Sequence, residues 1–190
     1  MTVSVLGGVL VGGESRRMGR PKQLVEVGEC TMIEHVVRCL SEEVDDVVLL
    51  GGGLVPTSLE GLPRVADADD CQGPMAGILG AMRAEPKARW IMAPCDLPLL
   101  RRAAVRWLEA SRRPGAWAVL PSLEGFVEPL LALYEPQARA LLEEASAVGE
   151  YSLHRLASSS RVETAEPPAP LRRCWFNANT PKDLGVLRTG

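Results

Sequence analysis

The chain has few of the residues that build metal clusters or disulfide frameworks. It contains two histidines and five cysteines, and no two cysteines form a C-x-x-C pair. His35 and His154 do not lie at ligand spacing, which argues against a zinc site. An odd number of cysteines without a pairing motif is typical of reduced thiols in a cytoplasmic protein. We therefore expect a cytoplasmic protein without structural disulfides.

Long apolar runs and an excess of positive charge are also absent. No segment reaches the roughly 20 consecutive apolar residues that span a bilayer. The apolar residues 3–11 have no basic residue before them and no cleavage-type site after them, so a secretory signal is not predicted. The formal net charge is −3, whereas a general nucleic-acid binder is usually basic. We expect neither a membrane nor a nucleic acid among the partners.

Strand and helix patterns alternate along the chain. Residues 5–11 form an apolar run that ends in a glycine pair, as suits a buried parallel strand. Further strands are predicted at residues 47–50, 90–93, 116–120, 126–134 and 175–178. Helices are predicted after Thr31 (a capping box with Glu34), from Gly73-Pro74, around Val105, from Pro136 and after Thr180. This alternation predicts one α/β domain over residues 1–190, Rossmann-like and doubly wound, with helices on both faces of a mostly parallel sheet.

The first loop carries the densest positive charge of the chain. Four cations lie within seven residues behind Gly12 and Gly13, namely Arg16, Arg17, Arg20 and Lys22. Glycines let backbone N–H groups approach a phosphate, and this many cations suit a triphosphate. We expect Lys22 to face solvent when no nucleotide is bound. The Walker pattern and the G-x-G-x-x-G fingerprint are both absent, so charge alone leaves a solvated basic loop open as an alternative.

Other polar residues follow predicted strands and should share one rim, because ligands of such sheets bind outside the carboxyl ends of the strands. Asp96 lies on a turn between Pro94 and Pro98, where a rigid carboxylate suits Mg²⁺. A turn-forming aspartate is the alternative. The acidic segment 66–74 carries three carboxylates at the same rim, namely Asp67, Asp69 and Asp70, and a solvated acidic loop is the alternative. Asn177 and Asn179 lie on the same rim and are also good turn formers.

The run L-x-G-G-x-S-x-R-M-G-x-x-K at residues 10–22 resembles the signature loop of the nucleotidyltransferase family that includes the molybdenum-cofactor guanylyltransferases, the MobA-like proteins. Four further stretches agree in order: GPMAGI at 73–78, PCDLP at 94–98, EPLLALY at 128–134 and NANTPKDL at 177–184. Two departures are visible. Val11 stands where the family usually has alanine, and the asparagine that many members carry after the second strand is not evident at residues 50–53.

The resemblance implies a Mg²⁺-dependent enzyme that transfers GMP from GTP to the molybdopterin cofactor and releases pyrophosphate. It implies roles for specific residues. Nucleotide binding would involve Leu10, Val11, Gly12, Gly13, Lys22, Asp67 and Asp96, with Asp69 and Asp70 as alternatives to Asp67. Catalysis would involve Arg17, Lys22 and Asp96, with Asp96 as the metal ligand. Acceptor binding would involve Asn177 and Asn179, with Glu128 and Pro129 at the border of that site.

The implied small-molecule partners are GTP and the molybdopterin cofactor, and the candidate protein partners are molybdopterin-carrying proteins and molybdoenzymes. Three other functions stay open: a cytidylyltransferase acting on the same cofactor, a sugar-phosphate nucleotidyltransferase, and a non-catalytic carrier of the pterin cofactor. GTP is favoured over CTP by the resemblance alone. The presence of both Lys22 and Asp96 argues against a carrier, which needs neither a metal ligand nor a triphosphate clamp.

Overall fold

The computed structural model describes residues 3–12 and 21–185, and an eight-stranded sheet lies at the centre of this part of the chain. The strands are β1 (Val5–Leu10), β2 (Glu26–Val27), β3 (Cys30–Thr31), β4 (Asp46–Leu50), β5 (Arg64–Val65), β6 (Arg89–Pro94), β7 (Ala118–Leu123), β8 (Phe126–Val127), β9 (Ala132–Tyr134) and β10 (Val162–Ala165). The sheet order is β10-β7-β9-β6-β1-β4-β5, with β8 paired to β7, while β2 and β3 form a separate pair.

The sheet is mostly parallel, as predicted. Strand β1 runs parallel to β4 and β6, and the pairs β4–β5 and β7–β10 are parallel too. Strand β9 is antiparallel to both β6 and β7. In the register of β1, Leu10 lies between Leu50 of β4 and Pro94 of β6. The carboxyl ends of these three strands therefore meet at one rim of the sheet.

Helices cover both faces of the sheet. They are α1 (Met32–Ser41), α2 (Pro74–Ala84), α3 (Arg102–Ala110), α4 (Ala138–Ala147) and α5 (Pro181–Gly185). Alternate residues of β6 enter opposite cores: Ile91 packs with residues of α1 and α3, and Trp90 packs with residues of α2 and α4. This alternation on a strand buried on both sides confirms the doubly wound arrangement. No helix in the described ranges is both long and apolar enough to cross a membrane.

Local signals explain where two of these helices begin. Helix α1 starts with the predicted capping box: the Thr31 amide donates to the Glu34 carboxylate at 2.7 Å, and the Glu34 amide donates to the Thr31 hydroxyl at 3.4 Å. Helix α2 starts at Pro74, directly after Gly73 with its positive φ of 61°. Proline suits the first helical position because its missing N–H would have no partner there.

Three parts of the predicted secondary structure are wrong or incomplete. Residues 175–178 are not a strand, because Ala169–Trp175 is a 3-10 helix and Ala178 then donates its amide to the Asp96 carbonyl. The extended segment 126–134 is split into β8 and β9, with Pro129, which cannot donate to a ladder, between them. Strands β2, β3, β5 and β10 were not predicted, since the first three are only two residues long and the sequence VETA of β10 has little apolar pattern.

Candidate functional site

A cavity of about 340 Å³ opens at the rim where β1, β4 and β6 end. Its wall combines strand ends (Leu10, Leu50 and Pro94) with the start of α2 and the loop before it. Cavities of this size take nucleotide-sized or smaller ligands. Five residues predicted to bind nucleotide line it, namely Leu10, Val11, Gly12, Lys22 and Asp67. The predicted site residues Gly13 and Arg17 lie outside the described residues.

An ion pair joins the first loop to the turn after β6. The Lys22 Nζ lies 2.6 Å from Asp96 Oδ2. The Asp96 side chain is 3% exposed and that of Lys22 is 23% exposed. The expectation that Lys22 faces solvent is therefore wrong. A carboxylate buried to this degree needs a nearby positive charge, and Lys22 supplies it.

The second oxygen of Asp96 is left for another group. Oδ1 is buried and has no hydrogen-bond partner among residues 3–12 and 21–185. A buried acceptor without a donor is costly, so a site that keeps one is suited to an external donor or cation. Within the same residues no cluster of three or more His, Cys, Asp or Glu side chains could hold a metal ion. Mg²⁺ commonly takes one or two carboxylates and completes its shell with water and substrate phosphates, so this donor set fits Mg²⁺.

The three candidate aspartates of segment 66–74 have different surroundings. Asp67 lines the cavity, and methyl groups built on Gly51 and Gly77 would lie 3.2 and 3.3 Å from its Oδ1. Asp70 instead accepts two hydrogen bonds from Arg83, at 2.6 and 2.9 Å. Asp69 is exposed and is not part of the cavity wall. Only Asp67 of the three is placed to meet a ligand in the cavity.

The loop after β4 explains both departures from the family pattern. It consists of three glycines, residues 51–53, none of which is part of the cavity wall, so this loop presents no side chain to the cavity. The Gly53 amide donates to the Val11 carbonyl at 3.0 Å, and a methyl group on Gly53 would lie 2.8 Å from Val11 Cγ1. The larger side chain of Val11 is therefore accommodated by the missing side chain at Gly53.

Hydrogen bonds tie the predicted acceptor residues to Asp96. The Ala178 amide, between Asn177 and Asn179, donates to the Asp96 carbonyl at 3.0 Å. Trp175 Nε1 donates to the Leu131 carbonyl at 2.9 Å, which joins this segment to the EPLLALY stretch. Neither asparagine is part of the cavity wall. The segment of the two asparagines is therefore bonded to the backbone of Asp96 and lies outside the cavity wall.

His35 is hydrogen-bonded to the segment that follows Asp96, at Leu100. Its Nε2 lies 2.9 Å from the Leu100 carbonyl, which can only accept, so Nε2 carries the proton. The Arg38 guanidinium donates to Nδ1 at 3.3 Å. Burial lowers the pKa of His35, and the nearby Arg38 charge lowers it further. His35 is thus a neutral structural residue that holds the chain beyond Asp96.

Some cavity residues were missed by the sequence analysis. Cys71, Gln72, Cys95 and Leu130 all contribute to its wall. Burial raises the pKa of Cys95 to about 12 and also raises that of Cys71, so both thiols are protonated and uncharged at neutral pH. Their positions next to recognisable motifs were the available signal, since Cys95 lies within PCDLP and Gln72 directly precedes GPMAGI.

Comparisons with known proteins agree with this arrangement. A sequence model described as the MobA-like NTP transferase domain matches residues 7–164. The chain is 33% identical to a probable molybdenum cofactor guanylyltransferase from Opitutus terrae, over 95% of this chain and 93% of the relative. A protein of the same name from Pelotomaculum thermopropionicum is 31% identical, over 96% and 91%.

Solved structures resemble the fold closely. Molybdopterin-guanine dinucleotide biosynthesis protein A from Archaeoglobus fulgidus superposes with a TM-score of 0.78 at 26% identity, over 96% of each chain. A 2-C-methyl-D-erythritol 4-phosphate cytidylyltransferase from Thermus thermophilus has a TM-score of 0.68 at 20% identity, over 98% and 97%, and this likeness concerns the fold alone.

Proposed function

The chain belongs to the MobA-like NTP transferase family, and we propose that it transfers GMP from GTP to the phosphate of the molybdopterin cofactor. The products would be the guanine dinucleotide form of the cofactor and pyrophosphate. One observation carries this proposal: the buried carboxylate of Asp96 is paired with Lys22 of the cavity wall, next to Cys95 of that wall, and the Asp96 carbonyl is bonded to the Asn177–Asn179 segment.

The cavity supports a nucleotide at this site. Its wall is largely apolar around Leu10, Leu50 and Ala76, which suits a flat base. Gly12 lies at its edge, and among residues 3–12 and 21–185 no atom lies within 4 Å of where its side chain would start, which suits an approach by a phosphate group. Asp67 adds a carboxylate that can accept hydrogen bonds from the nucleoside. We assign GTP rather than CTP on the names of the relatives.

The Lys22–Asp96 pair supports the chemistry. Mg²⁺ bound to Asp96 would neutralise charge on the phosphates. Lys22, released from Asp96, would then hold the triphosphate as a point charge. We assign Arg17, outside the described residues, to the charge of the departing pyrophosphate.

The transfer itself needs alignment more than a protein nucleophile. An oxygen of the acceptor phosphate would attack the α-phosphorus in line. A new bond forms between the acceptor oxygen and the α-phosphorus. The bond between the α-phosphorus and the oxygen that bridges it to the β-phosphorus breaks, and the bridging oxygen leaves as part of pyrophosphate. Asn177 and Asn179 would orient the acceptor through their amide groups, since the Ala178–Asp96 hydrogen bond fixes the segment beside the reacting centre.

We also propose the cytoplasm as the location and molybdopterin-carrying proteins or molybdoenzymes as protein partners. All five cysteines are free thiols, which supports a reducing compartment. The names of the relatives support a place in molybdenum cofactor synthesis. Delivery to a molybdoenzyme would follow from the chemistry of the product.

The decisive experiment incubates the protein with molybdopterin, Mg²⁺ and each of the four NTPs, and measures pyrophosphate. We expect release with GTP and formation of the guanine dinucleotide. Faster release with CTP would make the protein a cytidylyltransferase. Release with sugar phosphates and none with molybdopterin would identify a different acceptor. Binding of molybdopterin without release from any NTP would favour the carrier.

A further inference from the structure

Arg83, on the last turn of α2, connects three elements: α2 itself, the loop before α2, and α4. Its Nη1 and Nη2 donate to the two carboxylate oxygens of Asp70, at 2.6 and 2.9 Å. Its Nε and Nη2 donate to the two oxygens of Glu143 on α4, at 2.9 and 2.5 Å. One guanidinium therefore forks onto two carboxylates at once, which fixes geometry as well as charge.

Asp70 belongs to the segment of residues 67–73, which we call the cavity loop. Four of its residues line the cavity, namely Asp67, Cys71, Gln72 and Gly73. Asp70 itself is not in the cavity wall and turns its carboxylate away, towards Arg83. Arg83 thus reaches the cavity only through the backbone of this loop.

A second contact holds the same residue from α4. The Ser146 hydroxyl donates to the Asp70 carbonyl at 2.7 Å. At the start of the loop, the Ala68 amide donates to the Ala76 carbonyl at 3.0 Å. The cavity loop is therefore held at three points. Near its start, Ala68 is bonded to α2; in its middle, Asp70 is bonded to Arg83 and Ser146; and at its end, Gly73 leads directly into α2.

We infer that Arg83 is a positioning residue for nucleotide binding, which acts by holding the cavity loop in its binding-competent shape through Asp70. This inference rests on the proposed function, because it takes the ligand of the cavity to be GTP. A loop held in place before binding does not have to be ordered by the ligand, so affinity rises. The orientation of Asp67, three residues before Asp70, would depend on this restraint.

An isolated surface ion pair would have no such effect, since exposed pairs contribute little and constrain little. Arg83 differs because both of its partners are bound through two atoms each, which fixes the geometry of the contact even though the Asp70 side chain is 59% exposed. A comparison within the chain is offered by Arg113, which is 71% exposed, pairs with Glu163 at 2.8 Å and is not part of the cavity wall.

The test compares GTP binding by calorimetry, steady-state kinetics and hydrogen exchange in Arg83→Met, Arg83→Lys, Ser146→Ala and the control Arg113→Met. For Arg83→Met we expect Kd and KM for GTP to rise about tenfold, kcat at saturating GTP to change less than about twofold, and KM for the acceptor to stay constant. Amides of the cavity loop should exchange faster. Ser146→Ala should raise Kd about threefold, and Arg113→Met should change nothing.

Arg83→Lys separates positioning from charge. Lysine keeps the charge but cannot fork onto two carboxylates, so it should restore less than half of the lost affinity. Full restoration by Arg83→Lys, or an unchanged Kd in both Arg83→Met and Ser146→Ala, would overturn the inference. A loss in kcat with constant Kd would do the same. Absence of GTP binding by the unmodified protein is a different result, since it would refute the proposed function itself.

Discussion

A charged side chain is buried at each end of strand β6, and the two ends differ in the groups that compensate the buried charge. At the amino end, Arg89 is 8% exposed and lies 3.1 Å from Glu135 and 3.5 Å from Glu109. Arg112 joins the same Glu135 carboxylate at 2.6 Å. At the carboxyl end, Asp96 has Lys22 at one oxygen, and the other oxygen has no hydrogen-bond partner in the described part of the chain.

Burying a charge is costly unless opposite charge and hydrogen bonds compensate it. At the amino end, one carboxylate is shared by two guanidinium groups, so the protein supplies the compensation itself. Glu109 Oε1 also has no partner among the described residues, but its other oxygen faces both Arg89 and Arg112. At the carboxyl end the compensation is incomplete, on the rim where ligands of such sheets bind. An unpaired carboxylate oxygen occurs at both ends, so the two ends differ in the number of cations that face the buried carboxylates and in their position: two guanidinium groups at the amino end, and one ammonium group on the ligand rim at the carboxyl end.

The largest effect should come from Asp96→Asn. Asparagine keeps the size and turn-forming habit of aspartate but removes the charge that would hold Mg²⁺. We expect pyrophosphate release to fall by about a hundredfold or more, because metal polarisation is worth several kcal/mol in such transfers. GTP should still bind, since Gly12 and Asp67 are unchanged.

The matched measurements for Asp96→Asn are a Mg²⁺ titration of activity and a thermal melt. The variant should stay folded, because Lys22 is partly exposed and can turn to solvent. Near-normal pyrophosphate release with an unchanged Mg²⁺ requirement would remove the metal role from Asp96.

The sequence predicted the position of Asp96 but not its environment. Its place between two prolines after an apolar strand, together with the rule for parallel sheets, located it on the ligand rim. The pairing with Lys22 was missed because the two residues are 74 positions apart and no local pattern reports such a contact. For the same reason the three aspartates of segment 66–74 stayed alternatives: their difference comes from Arg83 and Gly77 on α2, as well as from Gly51.

The fold was more predictable than the site for a physical reason. Strands buried on both faces, such as β1, β4 and β6, are continuous apolar runs, and α1 carries its own capping box. These signals are local. Strand β10 is four residues long, half-buried and only partly apolar, and it is defined by its pairing with β7, so only the folded structure reveals it.

Lys22→Ala should have the next largest effect and should act on both binding and stability. Loss of one charge-assisted contact of roughly 1.5–3 kcal/mol should raise Kd for GTP about tenfold or more. Stability should also fall, by about 2–3 kcal/mol, because Asp96 keeps a buried charge without its ammonium partner. Calorimetry with GTP and urea unfolding measure the two effects separately.

The double variant Lys22→Ala, Asp96→Asn provides the control for Lys22→Ala. It removes both charges, so it should be more stable than Lys22→Ala alone. A double variant less stable than either single variant would mean that the ion pair is not the source of the loss.

At the other end of β6, Glu135→Gln should reduce stability without changing the chemistry. It leaves Arg89 buried with Glu109 as its remaining acidic partner. We expect a loss of about 2 kcal/mol and a Tm lower by roughly 4–8 °C for a chain of this size. Pyrophosphate release should stay within about twofold of the unmodified enzyme. A large loss of activity at unchanged Tm would contradict the division into a structural and a binding end.

The smallest effect concerns pH and the histidine that holds the Asp96 turn. Burial and Arg38 lower the pKa of His35 in the folded protein, so the unfolded chain binds a proton more readily. Stability from the neutral ring is then fully present above the unfolded pKa of about 6.5 and is lost as pH falls towards the folded value.

His35→Gln can still donate to the Leu100 carbonyl but cannot titrate. Urea unfolding at about pH 7.5 and about pH 5.5 should show a smaller loss of stability in the variant than in the unmodified protein. Equal losses in the two proteins would mean that His35 keeps its ordinary pKa and that other groups set the acid sensitivity of this end of the sheet.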